Sequence, residues 1–296
     1  MTEQARRQAI ELGFWDGPVT ARALPKGLTN HNFLVEDGTR RYMVRIGDDR
    51  PEHAVFRYNE IAVSLAAHDA GLSPALLHHE PGALIFDYLT DAVSLDANDL
   101  RQDANRVHLT SLLGQCHLDL PSHLEVPGPM FWVFHLNRRY ARIIMQHGGR
   151  MAPAITRLMA LNDELDTVIG PIQPVFCHND LVAANILDDG ERYWLVDWEF
   201  GGWNDGLYDL ASLAANLDLE AGVVDHMLRR YLHLRDEEPN QASRRRFKTW
   251  KCAALIWAGL WGGVGEIFAN LDFDYAAYSQ QRLDQLERAI ADFRGS

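Results

Sequence analysis

Val175-Phe176-Cys177-His178-Asn179-Asp180-Leu181-Val182-Ala183-Ala184-Asn185-Ile186-Leu187 is the stretch on which the fold turns. An apolar run, Val175 to Cys177, delivers a polar segment ending in Asp180. A second apolar run follows Asn185, Asp188-Asp189-Gly190 supplies a turn, and Trp194-Leu195-Val196 leads back to Asp197. The pattern predicts a strand, a loop and a hairpin over 175–200 that bring Asp180, Asn185 and Asp197 to one place. Apolar strands on both sides force these groups inward, where an unpaired carboxylate is costly.

Two carboxylates and an amide held together suit phosphoryl transfer from ATP. That chemistry needs an aligned hydroxyl and neutralised phosphate charge. One carboxylate can accept the hydroxyl proton. An amide oxygen and a second carboxylate supply the hard oxygens that Mg²⁺ prefers. An Asp, an Asn five positions later and an Asp beyond a hairpin match the spacing of a kinase catalytic loop and its metal-binding Asp. His178, taken alone, reads as a packed or capping residue and not as a base.

Working outward, the first ninety residues read as a small β-rich unit. Strands are predicted at Thr20–Leu24, His31–Val35, Arg41–Ile46, Ala75–His79 and Ala83–Tyr88, with turns at 36–39 and at Pro81-Gly82. Apolar residues at helical spacing predict a helix from Glu52 to Ala70, stopped by Gly71. Beyond Leu89 helices dominate, at 99–120, 138–145, 152–169 and from 207 onward. The expected fold class is α+β: an antiparallel N-terminal lobe at 1–90, a hinge, and a mainly helical lobe at 91–296, with the ligand site in the cleft between them.

His178-Asn179-Asp180-Leu181 with Asn185 resembles the catalytic signature of the aminoglycoside phosphotransferase and choline kinase superfamily, which shares the protein-kinase-like fold. Asp197-Trp198-Glu199-Phe200, continuing to Asn204 and Tyr208-Asp209-Leu210-Ala211, is similar to the choline/ethanolamine kinase branch, as is Gly27-Leu28-Thr29-Asn30-His31-Asn32-Phe33. The resemblance spans about residues 20 to 265. It implies that Asp180 is the base, that Asn185 and Asp197 bind magnesium with Glu199 close by, and that ATP is the donor.

Such an enzyme needs a cation on the ATP phosphates. The strand Arg41–Ile46 carries no lysine, so Arg45 is the candidate and Glu60, on the following helix, its partner. Leu28, Thr29, Asn30, His31 and Asn32 form a loop able to offer N–H groups and small polar side chains to phosphate oxygens. Phe86, Asp87 and Tyr88, at the hinge, are the expected neighbours of the adenine.

On the acceptor side, Trp257 and Trp261 share a helical face, and Phe200 stands beside the metal motif. A core stripe and an aromatic cage for an ammonium group both fit that spacing. The resemblance implies a small cationic, hydroxyl-bearing acceptor, choline or ethanolamine. Two other readings stay open: a kinase of the same fold acting on thiamine or an aminoglycoside, and a pseudokinase that only binds.

Bulk composition narrows the classes further. Of 296 residues, 47% are hydrophobic and 23% charged, enough for a large core. A net charge of −13 opposes a nucleic-acid partner and is compatible with a cationic ligand. The N-terminus lacks the apolar segment of a signal peptide. Cys252 to Leu260 is too short an apolar run to span a bilayer, which takes about 20 residues. A protein of the cytoplasm without membrane insertion is expected, with Cys116, Cys177 and Cys252 as buried thiols.

Overall fold

The computed structural model of the protein describes residues 2–24, 30–269 and 273–295. The architecture is α+β, as the sequence predicts. Helix α1 (Thr2–Ile10) precedes strands β1 (Thr20–Ala23), β2 (His31–Asp37) and β3 (Arg40–Ile46). Helix α2 (Arg57–Asp69) follows, then β4 (Leu76–Glu80) and β5 (Ala83–Asp87). Among the described residues these strands form one antiparallel sheet in the order β1-β2-β3-β5-β4. Asp37 pairs with Arg40, so the β2–β3 turn is only Gly38-Thr39, with Gly38 at φ 58°. A residue without Cβ takes that angle at little cost.

One face of the sheet buries Phe33, Val35, Val44 and Ile85 against Ala5, Ala9 and Leu12. Sequence reasoning gave the N-terminus no structural part, yet α1 supplies that cover. The opposite face buries Leu76, Leu84 and Phe86, with Met43 and Ile61 packed against them.

The helix expected over 52–70 begins only at Arg57. Pro51–His53 makes a single 3₁₀ turn, and Ala54 then adopts φ 58°. A left-handed alanine breaks helical continuity at a cost of about 1–2 kcal/mol, and Arg50 bridges back to Val55.

The rest of the chain is mainly helical: α3 (Asp103–Leu118), α4 (Val133–Gln146), α5 (Ala152–Ile169), α6 (Gly206–Asn216), α7 (Ala221–Leu234), α8 (Gln241–Phe268) and α9 (Tyr275–Arg294). Short strands interrupt it at β6 (Val93–Ser94), β7 (Val175–Cys177), β8 (Ile186–Asp188), β9 (Tyr193–Leu195) and β10 (Gly202–Asn204). β7 pairs with β10, and β8 pairs with β6 and β9. α8 is the central strut: its run from Cys252 to Gly265 is buried, and an Asn240–Ser243 capping box fixes its start. The three thiols are buried and unpaired. Among the described residues, no helix is long and apolar enough to cross a membrane.

Candidate active site

β7 ends where the polar segment begins, and Asp209 in the first turn of α6 holds that segment. The Asp209 carboxylate accepts the backbone N–H of His178 at 2.8 Å and of Asn179 at 2.7 Å. It also meets His117 Nε2 at 3.0 Å, and the other nitrogen of His117 lies 2.8 Å from the Tyr231 hydroxyl. His117, Cys177 and Asp209 put ligand-type atoms within 4.8 Å of one another. Those of His117 and Asp209 are committed to hydrogen bonds, so the cluster reads as a scaffold and not as a metal site.

Asn179 sits at φ 68°. The side chain explains this strained angle, because Nδ2 donates to Phe200 O and Gly202 O at 3.0 and 3.1 Å. Its Oδ1 accepts from Asn204 Nδ2 at 2.9 Å. The loop before Asp180 is therefore stitched to the segment after Asp197. His178 is fully buried, bonds Val196 O through Nε2 at 2.9 Å and accepts the Asp180 N–H through Nδ1. Burial lowers its pKa, so the ring is a neutral structural link.

Asn185 Nδ2 donates to Asp180 O at 2.9 Å and reaches Asp180 Oδ2 at 3.4 Å. Its amide oxygen is thereby turned away from Asp180. Val196 N donates to Asn185 O at 3.0 Å, closing the β8–β9 hairpin and bringing Asp197 back. Asp197 itself is held at φ 71°, a left-handed conformation that costs a non-glycine residue about 1–3 kcal/mol and concentrates at functional sites.

The charges at this point are crowded. Asp180 is pushed up to about 8, first by burial and then by Asp197 and Glu199. Glu199, 3% exposed, is pushed up to about 7 by burial, Asp197 and Glu60. Burial also opposes the charge on Asp197, but Arg45 outweighs it and holds that carboxyl below its ordinary value. Hard oxygen donors crowded by mutual repulsion suit a divalent cation, which would relieve the repulsion.

Arg45 is the cation of the cluster. It is buried in β3 and ion-paired with Glu60 of α2 and, at 2.6 Å, with Asp197. Sequence reasoning missed a second arginine. Arg57, in the first turn of α2, pairs with Glu60, bonds Asn30 Oδ1 at 2.6 Å and stands 3.6 Å from Glu199. Its position three residues before Glu60 was the available signal. Asn30 Nδ2 in turn donates to Glu199 at 3.2 Å.

The remaining predicted residues fall in several places. Leu28 and Thr29 lie outside the described residues. His31 and Asn32 begin β2, opposite Ile46 and Arg45, and Asn32 Oδ1 is buried without a hydrogen-bond partner. Phe86 packs into the sheet, and Asp87 is the last residue of β5, with its N–H already donated to Ala75 O. The strand ends at Asp87, and Tyr88 follows it. Phe200 meets Trp257 edge-on, ring centroids 5.2 Å apart, with Phe131 beside both. Trp261 contacts His53, Tyr275 and Tyr278 instead. Both tryptophans are only 5–6% exposed. A cavity of about 190 Å³ opens between Ala54, Asn59, Phe131, Glu199 and Phe200.

Comparison with known proteins agrees with this geometry. The chain is 28% identical over 316 residues to probable choline kinase 2 of Arabidopsis thaliana, covering 92% of this chain and 87% of that one. It is 25% identical over 271 residues to protein LicA of Haemophilus influenzae, covering 87% and 76%. Among solved structures, a choline/ethanolamine kinase family protein from Mesorhizobium loti superposes over the whole of both chains, with a TM-score of 0.74 and 23% identity. That likeness establishes the fold. The model of the phosphotransferase enzyme family matches residues 20–247, most of the chain, including the elements that carry Arg45, Glu60, Asp180, Asn185 and Asp197. The protein therefore belongs to the phosphotransferase enzyme family.

Proposed function

We propose that the protein transfers the γ-phosphoryl group of ATP, with Mg²⁺, to the hydroxyl of a small amino alcohol, choline or ethanolamine. The observation that carries the reading is the convergence of half-buried Asp180 and Asp197 with buried Asn185, and the ion pair of Arg45 with Asp197. The choline kinase named among the relatives supports the acceptor class.

In this reading residues 1–90 are the nucleotide-binding lobe, and residues 91–296 carry the catalytic and acceptor residues. Asp180 orients the acceptor hydroxyl and takes its proton. Its raised pKa places it near the operating pH, where a general base works best. Asn185, Asp197 and Glu199 supply the oxygens that would hold Mg²⁺. When bound, the metal neutralises charge on the β- and γ-phosphates. Arg45 is positioned to meet the phosphates while Glu60 fixes its guanidinium. Leu28, Thr29, Asn30, His31 and Asn32 offer N–H groups and small polar side chains to the phosphates, and Tyr88, with Phe86 and Asp87 before it, borders the adenine. Phe200, Trp257 and Trp261 give the acceptor's ammonium group aromatic faces.

Coupled ADP release with a panel of choline, ethanolamine, thiamine and an aminoglycoside tests the proposal. Magnesium-dependent turnover confined to the amino alcohols is the expected result. Turnover of thiamine or the aminoglycoside in their place overturns the acceptor, and no turnover at all overturns the activity.

A further inference from the structure

His53 is the buried polar side chain that this mechanism leaves unused. It is fully buried, and neither ring nitrogen has a hydrogen-bond partner. Leaving such a group unpaired is costly, and native interiors rarely tolerate it without a reason.

The position of the ring is enforced. Pro51–His53 makes its 3₁₀ turn, left-handed Ala54 reverses the chain, and α4 holds the turn in place. Arg139 donates to Glu52 O at 2.7 Å and also bonds Pro51 O, while the Tyr140 hydroxyl donates to His53 O at 2.8 Å. The imidazole is thereby laid on Trp261, ring centroids 5.3 Å apart, with Tyr140 at 6.0 Å. Tyr275 and Tyr278 also contact Trp261. Ala54, the residue after His53, lines the cavity that Glu199 and Phe200 border. The turn that carries His53 therefore forms part of that cavity's wall. Burial, with the charges of Arg50 and Arg139 nearby, lowers the His53 pKa to about 3. At neutral pH the ring holds one lone pair and no charge, so it accepts a hydrogen bond without repelling a cation.

We propose that His53 reads the nitrogen end of the acceptor, its imidazole accepting a hydrogen bond from an ammonium N–H held against Trp261, so that amino alcohols retaining an N–H are preferred over a quaternary one. The inference rests on the amino-alcohol kinase reading above and names the acceptor class within it. A quaternary ammonium offers ring faces its methyl groups and leaves the imidazole unpaired. Sites built to hydrogen-bond a ligand reject analogues that lack the donor for that reason.

The test is the series ethanolamine, N-methylethanolamine, N,N-dimethylethanolamine and choline, measured as kcat/KM at saturating ATP. The first three carry at least one ammonium N–H and choline carries none. The wild type is expected to lose about tenfold at the last methylation, the value of one good hydrogen bond. His53→Phe keeps a ring on Trp261 and removes both nitrogens. It is expected to flatten that step while the KM for ATP stays within twofold. A wild-type profile with no step at choline overturns the proposal without any variant. A step that survives in folded His53→Phe also overturns it and returns His53 to a packing role. Turnover of none of the four overturns the amino-alcohol reading itself, and this inference with it.

Discussion

Arg45 Nη1 donates to Asp197 Oδ1 at 2.6 Å across 152 positions of sequence. The contact ties the third strand of the sheet to the carboxylate proposed to hold magnesium. It also explains how Asp197 keeps a lowered pKa while Asp180 and Glu199 are pushed up around it.

Removing that cation leaves half-buried Asp197 without its partner and buried Glu60 with Arg57 alone. Arg45→Met is expected to cost about 3–5 kcal/mol of stability, the usual penalty for breaking a buried pair. Arg45→Lys restores a charge without the planar fork and recovers only part of the loss. Urea unfolding of the two variants and the wild type is the measurement; an unchanged midpoint in Arg45→Met removes Arg45 from the network.

Asp180→Asn keeps the shape of the site and deletes the proposed base. kcat should fall by several orders of magnitude while ATP binding, followed by calorimetry, is retained. In the presence of a chelator the same variant should melt higher than the wild type, because it removes one of the mutually repelling carboxylates. For a chain of this size each 1 kcal/mol is about 2–4 °C. A variant that turns over at the wild-type rate ends the assignment.

Asp209 acts through the loop it holds. In Asp209→Asn an amide N–H confronts one of the two backbone N–H donors of His178 and Asn179. We expect kcat to drop about a hundredfold with both KM values within a few-fold, since a misplaced base slows the step more than it weakens binding. Steady-state kinetics decide it, and a larger effect on KM than on kcat would count against the positioning role.

Trp261 is nearly buried, so Trp261→Ala should cost about 3–5 kcal/mol and weaken both substrates together. Trp261→Phe is the discriminating change. It keeps most of the packing and weakens the cation–π face, so the acceptor KM should rise a few-fold while the ATP KM holds. Equal changes in both KM values would make Trp261 a core residue only.

His53 also gives the protein an acid-sensitive term. Its folded pKa, about 3, lies below the ordinary value of 6.5. The stability it contributes is therefore complete above pH 6.5 and is lost as pH falls toward 3. The wild type should lose more stability between pH 7 and pH 5 than His53→Phe does. Chemical denaturation at the two pH values compares them, and identical losses would show that the ring is charged in the fold.

Much of the candidate site was legible because its parts are close in sequence. One strand, one loop and one hairpin carry Asp180, Asn185 and Asp197, and apolar runs on each side leave those groups no route but inward. Arg45 and Glu60 were legible for a similar reason, since a strand followed directly by a helix puts them face to face. The role of α1 was not legible, because a short amphipathic helix becomes a sheet cover only once a sheet exists to receive it.

The sequence by itself determined the fold class and the grouping of Asp180, Asn185 and Asp197 that the proposed function uses, both set by local periodicity and residue chemistry. Tertiary structure alone decided that Arg57 reaches Glu199, that Asp209 grips the loop before Asp180, and that Phe200 meets Trp257 while Trp261 meets His53. Each of these depends on how separate elements pack, and packing is chosen by the burial of the whole apolar surface, which no single stretch of sequence encodes.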